Sequence, residues 1–337
     1  MPEREAWNGS IPWWPAIHLC GQALHACTLG DTDGVLDDLA LAGVCEQLLG
    51  TCLRTVLFRS GHLSQVVGVE LADGRTAVLK IRPYEARIIG CAAVQEHLVR
   101  AGFPAPAPTA GPVVTDGLAI TAETLIPDGR QMPAARGAGP YARLLAWLIR
   151  SAPDVAVVPA LAPSPPWTGW DHPGAWLWPD RDDHGRDLNQ VSGPAWVDDA
   201  ARRVRQRMSG YAAPARIGHG DWESQNIRWV AERPLAVHDW DSVIAQPEAA
   251  IVGLAAAVWP AGGDPGDAAT VGQSADFIDS YQRAAGLRWT ERDVQHAWAA
   301  GLWVRLFNAK KDAASGGGPQ LARLAGEIGE RLSLAAL

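Results

Sequence analysis

Lysine is almost missing from this chain. Of its 29 basic residues only Lys80, Lys310 and Lys311 are lysines, so arginine fills every basic position but one through the first 309 residues. Codon bias accounts for the arginines but not for the exception, because a compact ammonium and a planar guanidinium do not fit the same oxygens. Other absences exclude whole classes of protein. No window of 18 uninterrupted apolar residues occurs, so a membrane-spanning helix is not expected. The opening Met1-Pro2-Glu3-Arg4-Glu5 carries acidic residues with no apolar stretch behind it, and so does not read as a signal peptide. The five cysteines (Cys20, Cys27, Cys45, Cys52 and Cys91) include no Cys-x-x-Cys and are odd in number. Reduced thiols in a cytoplasmic protein are the expectation. Positive charge is also short: the formal net charge of −8 argues against a nucleic-acid partner.

With 337 residues, 47% of them hydrophobic, the chain can bury a large core and is expected to divide in two. Residues 1–34 read as a loosely ordered lead-in. A helix is expected from about Val35 to Leu49, then extended runs at 55–58, 66–71 and 76–81, the last two joined by an Asp73-Gly74 turn. A helix over 84–101, stopped by Gly102 and Pro104, and extended runs at 113–114 and 118–125 complete a small antiparallel sheet with one packed helix. Helical patterns then dominate, at 140–150, 194–209, 247–259, 271–285, 290–308 and 319–336. No tryptophan lies between positions 15 and 146, whereas thirteen of the sixteen follow residue 146. The boundary is placed at 125/126. The Pro-, Trp- and Asp-rich stretch 151–193 reads as a long ordered insertion, and 313–318 as a flexible turn.

The chemistry concentrates between His219 and Asp241. Asp221 follows His219 by two residues, Asn226 follows Asp221 by five, and Asp239 comes thirteen residues later at the end of the run Leu235-Ala236-Val237. One carboxylate in a tight loop can accept a proton from a hydroxyl. An amide oxygen and a second carboxylate are oxygen ligands of the kind Mg²⁺ prefers. A hairpin, Ile227–Val230 then Leu235–Val237, turning at Glu232-Arg233-Pro234, would bring Asp239 back to Asn226. Together these are the parts of phosphoryl transfer.

The pattern resembles the aminoglycoside phosphotransferases and related small-molecule kinases of the protein-kinase-like fold. Their catalytic loop, His-Gly-Asp, four residues, Asn, matches His219 to Asn226. Their Ile-Asp-Trp-Asp/Glu segment is similar to Val237-His238-Asp239-Trp240-Asp241, and their Ala-Val-Leu-Lys strand matches Ala77 to Lys80. Gly-x-Pro-x-Pro matches Gly102 to Pro106. The resemblance implies an α+β, two-lobed fold: a small antiparallel β-sheet lobe with one helix (1–125) and a larger, mainly helical lobe (126–337). It implies ATP or GTP as phosphate donor with Mg²⁺ in the cleft, Asp221 as catalytic base, and Asn226 and Asp239 as metal ligands. Lys80 would hold the α- and β-phosphates under a loop containing Ser60, Gly61, Ser64 and Gln65. Backbone near Glu123 and Leu125 would take the base, and Asp241 would be an auxiliary contact. His219 would brace the loop. The glutamate that the family pairs with its lysine is not at the counted position, Ala92; either Glu96 or Glu85 takes the role, or the pairing differs.

The acceptor is expected to be a small hydroxylated molecule. Aromatic faces and carboxylates between 167 and 199, with Trp178, Asp182 and Asp183 singled out, would suit a sugar, a nucleoside or a cationic antibiotic. The opposing reading makes these tryptophans packing residues and the aspartates a solvated face. Two other functions remain open: a metal phosphohydrolase using His219, Asp221, His238 and Asp239 as ligands, which leaves Lys80 without a role, and an inactive kinase-like binding module.

Overall fold

The computed structural model describes residues 38–337 apart from His62, Leu63, Asp183 and Pro265. The lead-in at 1–34, residues 35–37 of the first expected helix, Cys20, Cys27, the N-terminal tryptophans and the candidate Asp183 lie outside the described residues. The chain divides into two compact units. One takes the described residues up to Tyr84 with Thr109–Glu123, the other Glu85–Pro108 with Thr124–Leu337.

The first unit is built on α1 (Asp38–Leu49) and five strands: β1 (Leu53–Ser60), β2 (Gln65–Leu71), β3 (Thr76–Pro83), β4 (Pro108–Thr115) and β5 (Leu118–Thr124). Their order in the sheet is β1-β2-β3-β5-β4, and β2 pairs antiparallel with both β1 and β3. Alternation drives the packing. Val67, Val69 and Leu71 share one face of β2 and one core cluster with Leu41, Val44 and Cys45 of α1. The Asp73-Gly74 turn forms as expected, with the Asp73 carboxylate accepting the Arg75 amide at 3.0 Å. Arg75 then donates to the Leu49 carbonyl at 2.8 Å, satisfying an orphan acceptor at the end of α1.

The second unit holds α2 (Arg87–Arg100), α3 (Gly139–Ser151), α4 (Ala195–Ser209), α5 (Glu248–Val258), α6 (Val271–Ala285), α7 (Glu291–Ala314) and α8 (Pro319–Leu334). Two short antiparallel ribbons complete it, β6 (Ala215–His219) with β9 (Val243–Pro247) and β7 (Ile227–Val230) with β8 (Arg233–Val237). Helix α5 is the centre of the core: all its residues after Glu248 are buried. Its approach to α7 is set by glycine, since a Cβ on Gly253 would lie 1.9 Å from the Ala297 carbonyl oxygen. Helices α6 and α7 both start with a capping box, Thr270 with Gln273 and Thr290 with Asp293.

Three features depart from the sequence reading. Helix α2, expected with the sheet, belongs to the second unit, because Cys91, Val94 and Leu98 join that unit's core with Phe103. The ribbon β6–β9 has no counterpart in the expected elements. The β7–β8 hairpin turns at Ala231 and Glu232 rather than at 232–234, because Val230 pairs directly with Arg233 and Ala231 takes a positive φ of 53°. After Ser151, which ends α3, the described residues up to 193 form no α-helix and use short 3₁₀ turns at Val155–Val157, Pro166–Thr168 and Leu188–Gln190. Arg205 of α4 holds this stretch by donating to the carbonyls of Trp170, His172, Gly174 and Trp176.

Gly253→Ala forces the α5–α7 backbones apart and should cost roughly 2 kcal/mol or more, as overpacking of a tight core does. The check is a lower urea midpoint at unchanged slope; an unshifted midpoint would show that the two helices separate freely.

Candidate active site

Strand β6 delivers His219 to the start of a loop that folds back on β9, with the Gly220 amide donating to the Ser242 carbonyl at 2.6 Å. His219 is buried and both its ring nitrogens are engaged. Nδ1 accepts the Asp221 amide at 3.2 Å, which leaves Nε2 to donate to the His238 carbonyl at 3.0 Å. The ring also stands edge-on to Trp222 and Trp240, with centroids 5.8 Å away in each case. It braces the loop, as the resemblance implied, and has no lone pair left for a metal.

Past Asp221 a 3₁₀ turn, Ser224–Asn226, carries the chain into β7. The Asn226 amide nitrogen donates to Asp221 twice, to Oδ2 at 2.8 Å and to the backbone carbonyl at 3.0 Å. Using the NH₂ in this way turns Asn226 Oδ1 away from Asp221. The His238 amide donates to the Asn226 carbonyl at 2.8 Å, so the hairpin brings the second motif to the first. Asp239 adopts the left-handed conformation, φ 63° and ψ 51°, an uncommon backbone for a non-glycine residue. Its Oδ2 accepts the Ser242 hydroxyl at 2.7 Å. Two oxygen donors from Asn226 and Asp239, with the other positions left to phosphate and water, fit a hard divalent cation such as Mg²⁺. No group of three or more His, Cys, Asp or Glu side chains is arranged to hold a metal among the described residues. The four-ligand phosphohydrolase reading therefore loses its cluster.

Neighbouring side chains lock this segment. Arg87, at the start of α2, is buried and donates to the carbonyls of Asp241, Val243 (2.6 Å) and Leu161 (3.4 Å). Trp167, from the 151–193 stretch, donates its indole N–H to the Gly220 carbonyl at 2.9 Å. Trp222 donates to the Tyr141 carbonyl at 3.3 Å. Sequence reasoning passed over Arg87 and the specific role of Trp167, because a side chain reaching a distant carbonyl leaves no local signal. It also passed over Glu223, which sits inside the motif itself. Burial pushes that carboxyl up to about 7, the Gln225 amide opposes the rise, and the Asp239 charge adds to it.

In the first unit Lys80 is buried and pairs with Glu123 of β5 at 3.3 Å. Glu123 is thus a partner that was not among the glutamates considered for the lysine, and Glu96 pairs with Arg100 one turn along its own helix. Ser60 ends β1 and Gln65 opens β2. Between them Gly61 has φ 124°, and a Cβ there would lie 1.8 Å from the Ser64 carbonyl oxygen, so the bend admits only glycine. His62 and Leu63 of the same loop lie outside the described residues. Leu125 follows directly on β5.

The acceptor residues expected at 167–199 are placed differently. Trp178 is 1% exposed, packs tilted against Trp303 with centroids 5.3 Å apart, and donates its N–H to Asp198 at 2.9 Å. Both of its faces are in the core, so it offers no platform. Asp182 is 4% exposed and accepts from the amides of His184 (2.9 Å) and Arg186 (2.7 Å) and from the Arg186 guanidinium (2.8 Å). Burial alone would raise its carboxyl, yet those donors hold it below the usual carboxylate range. It is a turn-forming residue. Asp198 is likewise committed, accepting from buried Lys310 at 2.9 Å. Packing explains these residues better than acceptor binding does.

An antiparallel five-stranded sheet with a mainly helical second unit, together with a His-Gly-Asp loop joined to an Asp-Trp-Asp segment, defines a protein-kinase-like small-molecule phosphotransferase. The chain belongs to the APH phosphotransferase enzyme family, whose model matches residues 54–287. No curated protein is significantly similar to it in sequence. Among solved structures it is similar to an amicoumacin kinase in complex with AMP-PNP, Ca²⁺ and its antibiotic, with TM-score 0.60, 11% identity, and coverage of 89% of this chain and 94% of that one. A spectinomycin phosphotransferase with ADP and spectinomycin gives TM-score 0.54 and 12% identity over 89% of this chain and 94% of that one. A type I macrolide 2'-phosphotransferase gives TM-score 0.52 and 16% identity over 86% of this chain and 96% of that one. At such identities these likenesses bear on the fold.

Trp167→Phe keeps the ring and removes the bond to Gly220. One hydrogen bond of this kind is worth about 1 kcal/mol, so turnover should fall about 5- to 10-fold while the nucleotide KM holds. A proportional rise in KM instead would assign Trp167 to nucleotide binding.

Proposed function

We propose that this chain moves the γ-phosphate of ATP or GTP onto a hydroxyl of a small molecule, with an antibiotic among the acceptor classes to test first. The observation that carries this reading is the double hydrogen bond from Asn226 to Asp221 beside the left-handed Asp239. It fixes a carboxylate at hydrogen-bonding distance from an amide whose oxygen faces away, the division of labour that a base and a metal ligand require.

In this reading Asp221 accepts the acceptor's hydroxyl proton as the oxygen attacks in line. The Asn226 donors hold its carboxylate in one rotamer, so orientation is set before the acceptor arrives. Asn226 and Asp239 would hold Mg²⁺, which when bound offsets charge on the phosphate oxygens. Lys80 adds a compact positive charge toward the phosphates, and Glu123 keeps its ammonium in place. Gly61 lets the β1–β2 connection present backbone amides without a side chain in the way. Asp241 stands as an auxiliary contact through its carboxylate, since its carbonyl is taken by Arg87.

The phosphohydrolase alternative lacks support from His219, whose nitrogens both bond to the backbone. An inactive module would not need base, ligands and lysine kept together.

Asp221→Ala should retain nucleotide binding and lose at least ~100-fold in turnover, the lower end for a general base. Turnover near the wild-type level would sink the assignment. Asp239→Ala should weaken Mg²⁺-nucleotide affinity itself, read by calorimetry with and without the metal. Glu123→Gln should raise the nucleotide KM about 5-fold, because a charge-assisted bond becomes a neutral one, whereas Glu96→Gln should leave it unchanged. The reverse ranking would restore the helix glutamate as the lysine's partner. The class test is a mass shift of one phosphate on any of a panel of aminoglycosides, nucleosides, macrolides and amino alcohols given Mg-ATP or Mg-GTP.

A further inference from the structure

The second unit contains a cavity of about 360 Å³ that none of these roles uses. It lies where the end of α3, the start of β6, the start of α5 and the end of α6 meet. Arg150, Asp154, Arg216, Glu248 and Tyr281 supply its polar lining, and Ile149 and Leu287 are among its apolar walls. Strand β6 separates it from the catalytic loop. Arg216 is three residues before His219, roughly 10 Å along an extended strand.

The hydrogen-bonding balance of this cavity is one-sided. Glu248 accepts the Tyr281 hydroxyl at 2.8 Å. Asp154 accepts the Ala156 amide at 2.8 Å, capping the 3₁₀ turn there. Both carboxylates are therefore engaged. Arg150 and Arg216, with five N–H donors each, make no ion pair or hydrogen bond among the described residues. Three charged groups share the field at Tyr281: burial and the Glu248 charge push its hydroxyl up, and the Arg216 and Arg150 guanidiniums pull it back. A concave pocket with a mixed polar and apolar lining and two unengaged guanidiniums is complementary to an oxyanion carried on a small, partly apolar body.

We propose that this cavity is a second ligand site, distinct from the catalytic loop, for a small organic anion held through its carboxylate or phosphate by Arg150 and Arg216. The apolar walls favour an organic anion over inorganic phosphate. The two guanidiniums distinguish it from a neutral compound of the same shape. This goes beyond the transfer reaction and does not depend on it.

The test is calorimetric titration of the full chain with benzoate, phenyl phosphate, inorganic phosphate and benzyl alcohol. Benzoate or phenyl phosphate should bind with a Kd of about 1 mM or lower, a value within reach of about ten heavy atoms; which of the two binds better identifies the anion. Inorganic phosphate and benzyl alcohol should bind at least ~10-fold more weakly. Arg216→Gln and Arg150→Gln should each weaken binding at least ~10-fold, Arg216→Lys should recover part of the loss, and Lys80→Ala should change nothing. Both arginines are exposed, so the variants should melt with the wild type, and thermal unfolding checks this. No binding by either aryl anion, unchanged binding in both arginine variants, or loss of binding in Lys80→Ala would overturn the proposal; the last would place the anion at the nucleotide phosphates.

Discussion

The hydrogen bond from the His238 amide to the Asn226 carbonyl is the constraint on which the site rests. It closes the β7–β8 ribbon at the end where both functional segments emerge, next to the Ile227–Val237 pair. The ribbon β6–β9 does the same from the other side, through the His219–Val243 pair and the Gly220 amide on Ser242. Between these two seams the chain has little freedom. Asp239 must turn through a left-handed conformation, and Asn226 must face Asp221. Such a backbone persists only where its surroundings over-determine it, and here two ribbons and the Ser242 hydroxyl do so.

Three buried cations follow one rule. Each buried cation described above is met by an acceptor: Lys80 by Glu123, Lys310 by Asp198 and the Val191 carbonyl, Arg87 by three carbonyls. An unpaired charge in these places would cost several kcal/mol. The choice of cation also has a cause. Arg87 must reach carbonyls at 161, 241 and 243 at once, which suits a planar fork. Lys80 and Lys310 each put a single ammonium into a narrow space. Two of the chain's three lysines are therefore buried point charges, and their scarcity in the sequence made the first of them stand out.

Much of this was legible beforehand because it is local. The periodic helices came within a few residues of their observed ends, apart from α7, which runs six residues past the expected 308 to Ala314, and the Asp73-Gly74 turn formed where its chemistry demands it. The spacing of Asp221, Asn226 and Asp239 implied a returning hairpin, and one is present. What escaped was decided by distant contacts. Strand β6 is a short run broken by Gly218, and only its pairing with β9 makes it a strand. The partner of Lys80 depended on which strand adjoins it, and β5 does. Trp178 and Asp182 resembled a ligand platform because aromatic and acidic residues have the same composition in a pocket and in a core. Only burial and bonding separated the two.

The distribution of tryptophan has a practical consequence. Every tryptophan among the described residues belongs to the second unit, since none occurs between positions 15 and 146. Trp222, Trp240 and Trp167 lie against the loop that starts at His219, so that loop's packing contributes to the intrinsic emission. Among its described residues the sheet unit has no such reporter of its own. An unfolding curve followed by emission will be weighted towards the helical unit, which holds thirteen of the sixteen tryptophans, and can under-report the sheet unit's transition. A gap between that curve and one followed by circular dichroism would then reflect where the fluorophores sit, before any intermediate need be invoked.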